Sequence, residues 1–373
     1  MRTVIASSFT PTLDSGRARR TYGIVRALAA RGRVDLVYGA FGANRPDPAY
    51  ESIPALSLHR VERPGAIARM PAYLRARLRG VPDDFARGIW PDVAAQTARL
   101  AGEGVGSRVV AEGPVAAAAL LPYANRHPAT YSAHNLEYAF RHRLDEAGMS
   151  EAALKRFEAL LLRTFAESWM VSKADVAGAA ALVPGARLRL VPNVVDVAAI
   201  EPLPPRAGER TVLFLADLGY EPNREALRFL LERAMPALWR TAADVRLLVA
   251  GKGSDEIGQV DSRVELRGFV PELRALYAEA GCVAVPLLEG GGSPLKFVEA
   301  LAYAAPVVAT PRAAAGLEVE AGVHYIEAEP EGESFAAGIL AALEPACGNG
   351  VAAAGRGLAE REYSLAALER CLA

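Results

Sequence analysis

The chain has 373 residues, 51% of them hydrophobic, with 42 Lys and Arg against 43 Asp and Glu and a formal net charge of −1. That is long enough for two domains of ordinary size, and the composition is that of a folded globular protein. The balanced charge speaks against a nucleic-acid partner, which would call for a basic excess. Three cysteines, Cys282, Cys347 and Cys371, show no metal-ligand spacing, and their odd number suggests a reducing compartment. No apolar run approaches the length of a membrane span, and the N-terminus enters a strand with no signal-peptide pattern. A cytoplasmic location is expected.

In chain order, strands and helices alternate, the pattern of parallel sheets covered on both faces. Residues 3–8 read as a strand and residues 17–31 as a helix, with Ile24, Val25 and Leu28 at helical spacing. Asp14, Ser15 and Gly16 lie between them. Gly16, with Arg17, Arg19 and Arg20 close by, is either a weak anion site at a helix start or a turn glycine beside a solvated arginine face. No G-x-G-x-x-G follows this strand, which counts against a nicotinamide enzyme. Strands are also expected at 34–38, 108–111, 129–132, 169–171 and 188–191.

Residues 63–82, ending at Pro82, carry five arginines (Arg63, Arg69, Arg75, Arg77 and Arg79), no acid, and Met70, Tyr73, Leu74 and Leu78. The segment is either a solvated helix face or an amphipathic helix lying on an anionic membrane surface. Asp83 and Asp84 follow at once and blunt its charge. His134, in SAHNLEY, stands just past a strand and next to Asn135 and Glu137. It is either structural or part of a site.

Residues 201–206, EPLPPR, resist regular structure and read as a hinge. Beyond them the alternation restarts, with strands at 211–215, 245–250, 264–266, 282–286 and 307–309. The last two bracket the most informative stretch, EGGGSPLKFVEALAYAAPVVATP. There a buried strand enters a glycine loop and a helix opens, with Ser293 as the expected N-cap and Pro294 as its first residue. Amide groups of Gly291, Gly292 and Ser293, with the helix dipole, would cradle an anion. Lys296 and Glu299 stand three apart on one helix face, giving a cation for phosphates and a carboxylate for sugar hydroxyls. A nucleotide-sugar is the ligand that wants both. The alternative is a structural Lys296–Glu299 pair.

Lys155, Lys173, Lys252 and Lys296 are the only lysines. Two of them, Lys296 and the Lys252 of GKG, sit in glycine loops, where a compact ammonium is preferred to a guanidinium. These loops, His134 and Gly16 all follow strands, where open parallel sheets bind ligands.

Taken together, PTLDSGRARR, AHNLEY, VPNVVD, LGYEPNREALRFL, LLVAGKGSDE, VELRGFVPEL, the glycine-loop helix and REYSLAALERCL resemble, nearly end to end, the family-4 glycosyltransferases. These are retaining enzymes of the GT-B group that use nucleotide-sugars. The resemblance implies an α/β GT-B fold, with two Rossmann-like doubly wound parallel-sheet domains facing across a cleft. Residues 1–200 would be the acceptor-binding domain, 201–355 the nucleotide-sugar-binding domain and 356–373 a helix returning to the first.

By the same resemblance Glu299 holds the ribose, and Gly291, Gly292, Ser293 and Leu295 meet the donor sugar and diphosphate. Gly268, Phe269 and Val270 lie along the base, Gly16 admits the phosphates, and His134 sits near the donor sugar. His134, Glu289 and Lys296 form the expected catalytic set. The sequence departs from the family in several places. Its first glutamate falls at Gly291, leaving Glu289 as a substitute, and the GGGSPLK loop resembles a subgroup without that glutamate. Its arginine and lysine after the first strand of the second half are replaced by Ala216, Asp217, Leu218 and Gly219. Val194 replaces a glycine. Lys296, Lys252 and Arg224 are the candidates to meet the diphosphate charge instead.

The expected activity is metal-independent, cofactor-free transfer of a sugar from a nucleotide-sugar to an acceptor hydroxyl. The acceptor would be a glycan, a lipid-linked glycan or a small molecule, and the setting polysaccharide, glycolipid or glycoconjugate synthesis. The alternatives are a sugar-nucleotide epimerase of the same architecture and a non-catalytic sugar-nucleotide-binding protein.

Overall fold

The first strand, β1 (Thr3–Ser7), and its neighbour β2 (Val34–Ala40) are buried at every residue, as strands covered on both faces must be. In the computed structural model, which describes residues 2–104, 106–139, 150–289 and 293–373, they belong to the first of two units, Met1–Asn193 with Leu368–Ala373. The second unit is Val194–Ala367. The first sheet is completed by β3 (Leu56–Glu62), β4 (Arg108–Glu112), β5 (Thr130–Ser132), β6 (Glu167–Met170) and β7 (Leu188–Leu190). Its seven strands are all parallel, in the order β3-β2-β1-β4-β5-β6-β7. The order reverses between β1 and β4, with Thr3 in register with Val34 on one side and Arg108 on the other.

The second unit repeats the plan with β8 (Thr211–Leu215), β9 (Arg246–Ala250), β10 (Val264–Leu266), β11 (Cys282–Val285), β12 (Val307–Ala309) and β13 (Ile326–Glu327). These are also parallel, in the order β10-β9-β8-β11-β12-β13. The period of two along a strand divides its side chains between two cores. Val212 and Phe214 of β8 join Phe229 and Phe335 on one face, while Leu213 joins Phe297 and Tyr277 on the other.

Two strands escape the sequence reading. β3 is a half-exposed edge strand whose His59, Arg60 and Glu62 interrupt any apolar run, and β13 has two residues. The proline-rich 201–206 stretch is also not the boundary between the units, which falls at Asn193. It is packed onto the second unit instead. Leu203 is buried and its N–H donates to the Tyr303 carbonyl at 3.0 Å, and the Arg206 backbone exchanges hydrogen bonds with the Asn349 side chain at 2.6 and 3.1 Å. The last residues, Leu368–Ala373, belong to the first unit. There Arg31 and Arg189 donate to the Glu369 and Cys371 carbonyls, both at 2.9 Å, as cations do at a helix C-terminus. Among the described residues no single helix is long and apolar enough to cross a membrane.

Candidate functional site

In each unit the polar residues of interest gather where the strand order reverses, the place where open parallel sheets leave a crevice. In the first unit β4 ends in Glu112, and the next residue, Gly113, takes φ +82°. A side chain at Gly113 would come within 2.6 Å of the His134 ring, so glycine is what lets that ring close on Glu112. His134, 12% exposed, places Nε2 3.0 Å from Glu112 Oε1, and the Thr21 hydroxyl donates to the same oxygen at 3.2 Å. Glu112 Oε2 is buried and meets no hydrogen-bond donor among the described residues.

Burial opposes ionisation of Glu112, but the hydrogen bond from His134 and the charge of the Arg20 guanidinium outweigh it, and the carboxyl sits below its ordinary range. Burial pushes His134 the other way for a base, downward, against the pull of Glu112. The pair is therefore a carboxylate beside a neutral imidazole. A carboxylate only accepts, so the ring's proton lies on Nε2 and its lone pair on Nδ1.

Glu112 and His134 line a cavity of 210 Å³ with Ser15, Arg17, Thr21 and Tyr50. The Tyr50 hydroxyl is also buried without a partner among the described residues. Gly16 starts the helix Gly16–Ala29, which Ser15 caps by accepting from the Ala18 N–H at 3.3 Å. Of the three arginines beside it, Arg17 lies over the Phe9 ring, 4.2 Å from its centre. The reading of a solvated arginine face fails for Arg20. That residue is buried and donates to the Val191 carbonyl at 2.7 Å and to Asn193 Oδ1 at 3.2 Å. Its helix faces the sheet at that position, and the apolar spacing that would reveal this is broken by the charge.

In the second unit the reversal lies between β8 and β11. The helix after β11 is Leu295–Ala302, with Pro294 at the cap position, so Ser293 is not its N-cap as expected. Pro294 has ψ 111°, an extended value that delays the first helical residue to Leu295. Gly291 and Gly292 lie outside the described residues. Glu289 is part-exposed, Ser293 and Leu295 are buried, and Glu299 is 8% exposed on the inner side of the helix.

Lys296 reaches across the reversal. Its Nζ donates to Asn223 Oδ1 at 2.7 Å and lies 5.3 Å from the Phe214 ring centre. Asn223, on the helix that follows β8, is held in turn by donating to the Asp217 carbonyl at 2.7 Å. Burial pushes the Lys296 ammonium down to about 8. No carboxylate pairs with it among the described residues.

The loops after β8, β9 and β10 are laced together by backbone bonds. Leu218 N–H donates to the Lys252 carbonyl at 2.9 Å and Gly251 N–H to the Gly268 carbonyl at 2.7 Å. Gly251 has φ +119°, and a side chain there would sit 1.9 Å from the Ala216 carbonyl oxygen. On this frame Gly268 is buried, Phe269 is 74% exposed and Val270 is partly buried. Lys252 is exposed and lines a separate cavity of 590 Å³ with Arg224 and Arg228, which Lys296 does not reach. Arg224 is committed locally, donating to the Leu218 carbonyl at 2.8 Å and pairing with Glu221. Of the three candidate diphosphate cations, Lys252 and Arg224 thus share one cavity and Lys296 stands apart from them.

Residues 209–345 match the sequence profile of the family described as glycosyl transferases group 1. The second unit carries a glycosyl transferases group 1 domain. Several solved structures share the whole architecture, which is GT-B. HepE from Anabaena, solved with UDP and glucose, is 17% identical, with a TM-score of 0.73 over 100% of this chain and 98% of its own. Sucrose-phosphate synthase from Thermosynechococcus elongatus is 15% identical, with a TM-score of 0.75 over 100% and 96%. A TarM variant from S. aureus, solved with fondaparinux, alpha-GlcNAc-glycerol and UDP, is 10% identical, with a TM-score of 0.71 over 100% and 99%. No curated protein sequence matches the chain. In the glycosyl transferases group 1 domain, Asn223 and Phe214 are the partners of Lys296 that the sequence reading missed. In the first unit it missed Glu112, Thr21 and Tyr50. The signal for Glu112 was available: a carboxylate followed by glycine at the end of an apolar strand.

Proposed function

We propose that this protein transfers a sugar from a nucleoside diphosphate to an acceptor hydroxyl with retention of anomeric configuration, in the cytoplasm, in polysaccharide, glycolipid or glycoconjugate synthesis. The observation that carries the reading is Lys296. A part-buried ammonium with a neutral amide for its hydrogen-bond partner is costly unless an anion completes it. A diphosphate at the β8–β11 reversal is that anion. The group 1 domain match and the UDP held by HepE and the TarM variant make UDP-sugars the first donors to try.

In the proposed reaction the bond from the anomeric carbon to the diphosphate oxygen breaks as the bond to the acceptor oxygen forms on the same face. The acceptor proton passes to the leaving phosphate. Lys296 stabilises the negative charge where it develops, so its contribution is larger in the transition state than in the ground state. Glu299 is assigned to the ribose, Gly268, Phe269 and Val270 to the base, and the donor loop of Gly291, Gly292, Ser293 and Leu295 to the sugar and diphosphate. Gly16 is assigned to the phosphates, and Glu289 stands in for the glutamate missing at Gly291. The 210 Å³ cavity of the first unit supplies acceptors at Glu112 Oε2 and His134 Nδ1 for sugar or acceptor hydroxyls. Lys252 is assigned a steering rather than a contact role, and no metal is given a part.

The test is incubation with UDP-, GDP- and ADP-sugars, with and without acceptor extracts, followed by proton NMR of the products. The expected result is free nucleoside diphosphate and a glycoside with the donor's anomeric configuration. An inverted product would overturn retention. Conversion of donor without acceptor would make the protein an epimerase, and binding without turnover a sugar-nucleotide-binding protein.

A further inference from the structure

Residues Ala66–Leu78 form a helix packed on the first unit's core through Ala72, Tyr73 and Ala76, with the Tyr73 hydroxyl donating to Asp83 Oδ1 at 2.5 Å. The opposite face is apolar and open. Ile67 is 90% exposed, Met70 49%, Leu74 51% and Leu78 88%. Steps of three and four residues place all four on one stripe. Singly exposed apolar residues need no explanation, but a contiguous stripe of four large ones does.

The charge around the stripe narrows the choice of occupant. The helix contains no acidic residue. Arg63, Arg75 and Arg79 are exposed and have no carboxylate partner among the described residues; Arg63 lies over the Phe41 ring, 5.4 Å from its centre. Asp83, the acid that follows in sequence, is already engaged by Arg87 at 2.6 Å and Arg77 at 3.9 Å. A second copy docking symmetrically on this face would set arginine against arginine. An anionic surface would meet both the stripe and its rim.

We propose that this helix docks the protein on an anionic lipid bilayer. Ile67, Met70, Leu74 and Leu78 enter the acyl boundary, while Arg63, Arg75 and Arg79 meet headgroup phosphates. Phe41, beneath Arg63, lines the cavity that holds Glu112 and His134, so the docked surface runs on to that cavity. An acceptor anchored in the same bilayer is the substrate class this arrangement serves, a consequence that rests on the transfer reading. The docking itself does not. Vesicle binding without turnover, or turnover without vesicle binding, separates the two.

The experiment is flotation of the full chain with phosphatidylcholine vesicles, with or without phosphatidylglycerol. Binding is expected on the phosphatidylglycerol vesicles alone and should weaken as salt is raised. The double variants Ile67→Glu/Leu78→Glu and Arg75→Glu/Arg79→Glu should each bind about tenfold or more weakly. Their melting temperatures should be unchanged, since all four side chains point to solvent. No flotation with anionic vesicles, or equal flotation of wild type and variants, would overturn the proposal. So would a solution dimer that Ile67→Glu/Leu78→Glu dissociates, which would identify the stripe as a contact between copies.

Discussion

Glu112 accepts from His134 and Thr21 on one oxygen and leaves the other buried and open. Glu112→Gln keeps the shape and removes the charge. If the carboxylate orients His134 and anchors a hydroxyl, turnover should fall about 10–100-fold, the size of a lost charge-assisted hydrogen bond. The melting temperature should hold, and NMR should show His134 titrating lower still, since the Glu112 charge supports its protonated form. Full turnover, or an unmoved His134 titration, would show that the pair is not coupled as described. Lys296 was legible in the sequence because lysine is rare here and this one opens a helix after a glycine loop. Asn223 was not, because its link to Lys296 exists only once β8 and β11 are neighbours. Arg20 was misread for a related reason: an arginine is taken for surface until its carbonyl partners, far away in sequence, are known.

At the scale of elements, Gly251 joins the loops after β8 and β9. Its backbone has a positive φ, and Ala216 leaves no room for a side chain. Gly251→Ala should cost about 2–4 kcal/mol of stability through combined strain and overlap, read as a lower melting temperature. It should also weaken nucleotide binding, because Leu218, Lys252 and Gly268 are tied to that turn. Gly258→Ala, where nothing lies within 4 Å of the new side chain, is the matched control and should be near neutral. Equal effects of the two would contradict this account of the loop frame. Most strands were legible because they are short apolar runs between polar turns, and β8, β10 and β12 begin and end where the pattern placed them. β3 was hidden by its charged exposed residues, and the start of the helix after β11 was displaced by one residue by the ψ of Pro294. The 201–206 stretch was read as a hinge because prolines suit an exposed linker equally well. What distinguishes them is its hydrogen bonding to Tyr303 and Asn349.

Over the whole molecule, each of two parallel sheets reverses its strand order once, and each reversal holds a polar group set on a buried frame: Glu112 with His134 in one, Lys296 with Asn223 in the other. The alternating pattern made two such units legible. Which residues meet at each reversal was not legible, because that depends on strand order. The account centres on Lys296 as the cation for a diphosphate. Calorimetric titration of nucleoside diphosphates and their matching nucleosides into the wild type and Lys296→Met tests it most directly. The wild type should prefer the diphosphate, and the variant should lose that preference by about 10–100-fold, or about 1.5–3 kcal/mol, while nucleoside affinity stays the same. Because burial holds the ammonium at about 8, the wild-type preference should be full below that pH and decline as the proton leaves above it. The variant should show no such decline. Equal losses for diphosphate and nucleoside, or a diphosphate affinity untouched by the substitution, would contradict the account.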